Sequence, residues 1–243
     1  MCYDSDARPP AFGAPVTGTT TSASHLSTSG GPVFIARPDV VSGPGVVILP
    51  DFRGLHDFYK QLAVRLAEQG HPAVAFDYFG RTAADDDRGS GFAFMEHLPK
   101  LTREGIQADM ADAAAQLGGP AVAMGFCMGG RNAFFAAEPR FGFRGVIGFY
   151  GAPGIAGPYG PGPTQHAAEL EAPILGLFGG ADQGIPQSMI DEFGDALTTA
   201  GVEHELVVYP GAPHSFFDGQ MEQYAEASAD AWKRVLAFLA EHG

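Results

Sequence analysis

The sequence predicts a single doubly wound α/β domain, and three observations carry that prediction. The first is length: 243 residues suit one large domain with a substantial core better than two small ones. The second is composition, with 45% apolar and 17% charged residues, which is ordinary for a globular chain and far from the pattern of disorder. The third is alternation. Apolar, β-rich runs recur along the chain with helical patterns between them, as parallel strands joined by right-handed crossovers do.

Taken in order, residues 1–31 are rich in Thr, Ser, Gly, Ala and Pro without sustained periodicity, and they predict an N-terminal arm on the surface with no chemistry of its own. The domain follows over residues 32–243. Its strand candidates are PVFIARP (32–38), GVVILP (45–50), PAVAFD (72–77), PAVAMGF (120–126), FRGVIGFYG (143–151), APILGLFGG (172–180) and HELVVYPG (204–211). Most are nearly continuous apolar runs, which fits a mostly parallel sheet covered by helices on both faces. Residues 56–69 place Phe58, Leu62 and Leu66, with Tyr59 one step off, on one helical face before Gly70 ends the pattern. Residues 104–117, the segment after Gly129, residues 187–200 and residues 221–240 read as further helices. GAPGIAGPYGPGP (151–163) reads as a long loop.

The formal net charge of -14 disfavours nucleic acid and anionic bilayers as partners, because both would repel the chain at long range. Two cysteines, Cys2 and Cys127, make no disulfide framework and suit a reducing cytoplasm. The first ten residues, MCYDSDARPP, lack the basic and apolar regions of a signal peptide, and no run approaches the roughly 20 apolar residues of a membrane span. A soluble cytoplasmic protein, monomeric or a small homo-oligomer, is the expectation.

GFCMGG (125–130) sits between a strand candidate and a helix candidate, the context of a nucleophile elbow. Glycines there remove the Cβ clashes of a sharp strand-to-helix turn and push the central side chain outward. Cys127 would then stand at a helix N-terminus, whose partial positive charge favours a thiolate, with the Met128 N–H directed at a developing oxyanion. A lone cysteine is more often a small buried hydrophobe; the glycine frame reverses that reading.

A nucleophilic cysteine needs a base, and His214 in YPGAPHSFF follows a strand and a Gly/Pro turn, where a short loop presents an imidazole well. The other seven histidines have no comparable surroundings, and no pair of them shows metal-ligand spacing. Asp182, just beyond the run APILGLFGG, is the carboxylate placed to orient the imidazole, although a loop-capping aspartate would look similar. The order Cys127, Asp182, His214 is the nucleophile–acid–histidine order of α/β-hydrolases.

With those residues in place, the chain resembles the dienelactone hydrolase family, the cysteine branch of the α/β-hydrolases. The resemblance spans roughly residues 32–240 and is carried by GPVFIARP, LPDFRG (49–54), FDYFGRT (76–82), GFCMGG, GGADQGIP (179–186) and GAPHSF (211–216). It implies that Asp51, where the best-known members carry a glutamate, pairs with the resting thiol and is displaced by substrate. It also implies a second oxyanion N–H from Phe52 and a substrate-carboxylate clamp at Arg81. The clamp's second arginine is replaced by Asp218, and Arg53 is the nearest cation in sequence that could compensate.

The implied reaction opens a small enol lactone such as dienelactone, or a related small ester, through a Cys-His-Asp triad and an acyl thioester. That chemistry needs no metal or organic cofactor, and no dinucleotide or phosphate fingerprint with the right flanks occurs. Acyl transfer to an acceptor other than water would use the same residues. A non-catalytic ligand-binding or redox-sensing module would need the thiol but not the ordered acid and histidine.

Overall fold

The structure, a computed structural model, describes residues 9, 21–83, 85–155, 160–218 and 222–243. Eight strands form one sheet: β1 (Thr21–Thr28), β2 (Gly31–Pro38), β3 (Gly45–Leu49), β4 (Ala73–Phe76), β5 (Ala121–Phe126), β6 (Gly145–Phe149), β7 (Ile174–Gly179) and β8 (His204–Tyr209). Their spatial order is β1-β2-β4-β3-β5-β6-β7-β8. The pairs from β4 through β3 to β8 are parallel, while β2 runs antiparallel to both β1 and β4. Strands β3 to β7 are buried along their whole length, which is why their sequences read as continuous apolar runs.

The helices are α1 (Asp57–Glu68), α2 (Arg103–Ala115), α3 (Met128–Phe135), α4 (Gln187–Ala200) and α5 (Ala225–Glu241). Helix α1 buries Phe58, Tyr59, Leu62 and Leu66, the face its spacing predicts. Thr102 caps α2 by accepting a hydrogen bond from the Gly105 N–H, and Gly201 ends α4 in the left-handed conformation at φ 75°. Among the described residues no helix is long and apolar enough to cross a membrane.

The sequence reading did not anticipate β1. TSASHLST (21–28) lies within the polar arm, yet it pairs residue by residue with β2, from Thr21 opposite Pro38 to Thr28 opposite Gly31. It is an edge strand whose side chains are largely exposed, so no apolar alternation marks it. The remaining arm residues, 1–8 and 10–20, lie outside the described residues, as do 156–159 of the loop at 151–163.

Because β3, β5, β6, β7 and β8 are parallel, the segments that leave their carboxyl ends gather at one edge of the sheet. The tightest of these exits follows β5. A Cβ on Gly125 would overlap the carbonyl of Gly129, and one on Gly129 would overlap the carbonyls of Leu49 and Pro50. Only glycine lets α3 approach the sheet this closely. Gly129→Ala is accordingly expected to cost about 3 kcal/mol of stability, read from urea unfolding, because the atoms in the way are backbone and cannot rotate aside. An unchanged midpoint would mean that the elbow is looser than described.

Candidate active site

Cys127 lies between β5 and α3 with φ 55° and ψ −114°, a conformation outside the regions open to ordinary L-residues. Such strain persists only where the surroundings impose it. Here the Cys127 N–H donates to the Phe149 carbonyl at 3.0 Å, and the Cys127 carbonyl accepts from Arg131 N at 3.1 Å as the helix begins. The side chain is turned out of the sheet and remains half-buried. Met128 is the first residue of α3, so its N–H has no acceptor within the helix.

His214 follows β8 after a short turn, and its Nδ1 lies 2.6 Å from Asp182 Oδ2 on the loop after β7. Asp182 Oδ1 accepts a hydrogen bond from the Gly184 N–H at 2.8 Å. Burial alone would raise the Asp182 carboxyl. The hydrogen bond and charge of His214, with backbone N–H groups of Gly184 and Ile185, outweigh it and hold the acid below its ordinary value. The acid is thus kept ionised against the imidazole, which fixes the ring's orientation.

Cys127, Met128 and His214 line one cavity of about 560 Å³. Its wall is otherwise mainly apolar, including Phe52, Leu98, Ile106, Phe135 and Ile185. Tyr150, which the sequence reading did not single out, also lines it. This residue leaves β6 at φ 37°, its ring centroid lies 4.9 Å from that of His214, and its hydroxyl donates to Asp218 Oδ2 at 2.7 Å. The signal that could have found it is position: Tyr150 directly follows a central parallel strand, where ligand-facing residues gather.

Asp51 follows β3 and is fully buried. Its N–H donates to Tyr59 Oη at 2.9 Å, and its Oδ1 accepts from the Arg53 N–H at 2.8 Å. Burial first, and then the charges of Asp51 and Cys127, push the Tyr78 hydroxyl well above its ordinary value, so the acid and the cysteine both lie near that phenol. Phe52, next in sequence, faces the cavity.

The three residues assigned to substrate contacts stand elsewhere. Arg81 does not line the Cys127 cavity; its Nη2 and Nε bond Asp109 on α2, at 2.5 Å and 3.1 Å. Asp109 is 4% exposed, and burial raises its carboxyl above the ordinary value even though this guanidinium pulls it back down, which accounts for the arginine structurally. Arg53 forms an ion pair with Asp51, its Nε 3.5 Å from Oδ2, and lines a different cavity of about 310 Å³ with His56, Lys60 and Arg88. Asp218 is 2% exposed and sits behind Tyr150. Phe216 and Phe217, both fully buried, draw that turn inward, so the carboxylate accepts the Tyr150 hydroxyl and does not line the Cys127 cavity.

Two other arginines line the cavity, Arg103 and Arg131. Arg131 Nη1 donates to the carbonyls of Ala152 and Gly154, and its Nη2 to those of Gly160 and Pro161, so it ties down the loop after β6.

Residues 32–243 match the model of a family described as the dienelactone hydrolase family. A carboxymethylenebutenolidase of Rhodococcus opacus is 32% identical over 98% of this chain and 96% of its own. A protein of Salmonella typhimurium assigned the same activity is 32% identical over 87% of this chain and 83% of its own. Among solved structures, one assigned as a dienelactone hydrolase of Klebsiella pneumoniae superposes with a TM-score of 0.76 at 28% identity, covering 91% of this chain and 99% of that one.

Proposed function

The chain belongs to the dienelactone hydrolase family and is a hydrolase, and from that premise we propose that it opens small enol lactones such as dienelactone, or related small esters, with Cys127 as nucleophile. The observation that carries this reading is the 2.6 Å contact between His214 and Asp182 at the cavity that Cys127 enters from its strained elbow. The imidazole's Nδ1 is taken by the acid, so Nε2 is the nitrogen left to exchange a proton with the thiol.

The Cys127 sulfur attacks the ester carbonyl, and the C–O π electrons move onto oxygen. The N–H groups of Met128 and Phe52 receive that oxyanion, each such donor contributing about 3 kcal/mol in comparable hydrolases. Collapse re-forms the carbonyl, breaks the ring C–O bond and releases an enolate while the acyl group remains on sulfur. Water, deprotonated by His214 or by the leaving enolate, then attacks the thioester and returns the thiol. In this reading Asp51, which like Cys127 lies near the Tyr78 phenol, pairs with the resting thiol and is displaced when substrate enters. A free catalytic thiol suits a reducing compartment, and the cytoplasm is the proposed location. A redox sensor would gain nothing from an imidazole held against a carboxylate.

The test is turnover by the purified protein. p-Nitrophenyl acetate is expected to be hydrolysed with a covalent acetyl adduct on Cys127 visible by mass spectrometry, and dienelactone with loss of its ultraviolet absorbance. If neither substrate turns over while the thiol is intact, the reading fails.

A further inference from the structure

We propose that the Cys127 cavity carries a remote subsite at Arg103 for an anionic group about 10 Å from the reacting carbonyl, so that preferred substrates place an apolar body between their ester and an anion. The proposal rests on Cys127 being the nucleophile, and it names the substrate class that this site takes.

The first argument is charge. The chain carries 28 Asp and Glu against 14 Lys and Arg, yet among the described residues the wall of this cavity presents Arg103 and Arg131 and no carboxylate. A cationic pocket in so acidic a protein selects for anions.

The second argument is the state of each arginine. Arg81 and Arg53, the cations that the resemblance brought forward for substrate, are ion-paired with Asp109 and Asp51 and do not line this cavity. Arg131 spends both terminal nitrogens on four loop carbonyls. Arg103 differs from all three. Its guanidinium lies 4.0 Å from the Phe135 ring centroid, and among the described residues no carboxylate bonds it. Stacking occupies the face of the guanidinium and leaves its in-plane N–H donors available to grip a carboxylate in two-pronged fashion. Arg131, driven down to about 10 first by burial and then by the charge of Arg103, registers how near the two cations are. An anion between them would relieve that repulsion.

The third argument is distance. Phe135, on which Arg103 stacks, ends α3, and Cys127 immediately precedes its first residue, Met128. Phe135 comes seven positions after Met128, which is about 10 Å along the helix axis. The wall between carries the apolar side chains of Phe52, Leu98, Ile106 and Met128, with Asn132 and Arg131 as its polar members on α3. Arg103 is itself fixed in place, as the first residue of α2 behind the Thr102 cap.

The experiment compares p-nitrophenyl monoesters of linear dicarboxylic acids with p-nitrophenyl esters of monocarboxylic acids of equal chain length. The ratio of kcat/KM, charged over neutral, is expected to peak for chains of about eight carbons, whose extended length approaches 10 Å. Arg103→Gln should lower that peak about tenfold or more, and Arg103→Lys should restore part of it. A ratio profile unchanged by Arg103→Gln would overturn the subsite. Calorimetric binding of free suberate to the wild type and to Arg103→Gln separates this failure from failure of the hydrolase reading. Suberate binding weakened about tenfold by the substitution sustains the subsite even if no ester turns over, whereas equal binding to both proteins, or binding to neither, sinks it.

Discussion

Cys127→Ala is expected to lower ester and lactone hydrolysis by about 10⁴-fold or more while the fold survives. Removing a nucleophile leaves only the water reaction assisted by whatever oxyanion donors and binding contacts remain, and those account for a small share of the total. The fold should tolerate the change because the Cys127 side chain is turned out of the sheet and only half-buried, and because the elbow is held by backbone bonds to Phe149 and Arg131 that alanine keeps. The strain at φ 55° remains in the variant, since alanine carries the same Cβ. Cys127→Ser should also fold but turn over poorly, because an alkoxide needs stronger base assistance than a thiolate. Iodoacetamide, applied in a Cys2→Ser background, should inactivate the protein in step with alkylation of one thiol. Full activity in Cys127→Ala, with an unchanged unfolding midpoint, would end the nucleophile assignment.

The parts of the fold that showed in the sequence are those whose environment leaves a mark on every residue. Strands β3 to β7 are buried on both faces, and α1 carries a clear apolar stripe, so their patterns survive inspection of one chain. Strand β1 left no such mark. What stabilises TSASHLST as a strand is its ladder of backbone bonds to β2 at an exposed edge, and backbone pairing is indifferent to side-chain pattern.

The site divides in the same way. Cys127, Asp182 and His214 each sit at the exit of a parallel strand within a turn motif, so local sequence and chain order were enough to single them out, and the structure brings Cys127 and His214 to one cavity with Asp182 on the imidazole. The substrate contacts were another matter. Whether Arg81 faces a cavity or a carboxylate depends on Asp109, a residue 28 positions away on α2, and Asp218 is turned inward by two phenylalanines that bury themselves in the core. Arg103 reaches the cavity only because α2 starts beside the end of α3. Such facts belong to tertiary packing, which a local motif does not encode.

His214→Ala and Asp182→Asn are expected to lower turnover by about 10³-fold or more each, and adding either to Cys127→Ala should cost little further. The reason is that the three groups perform one act. Without His214 the thiol has no partner to take its proton, and without the Asp182 carboxylate the imidazole loses the 2.6 Å contact that fixes its ring and stabilises its charged form. Asparagine keeps the shape of Asp182 but presents an amide with no charge, so the imidazole can turn its protonated nitrogen toward the thiol, the wrong arrangement for a base. Independent residues would give losses that multiply. Multiplying losses, or an Asp182→Asn variant with the parent's rate, would mean that the three residues do not act as a unit, whatever Cys127 does alone.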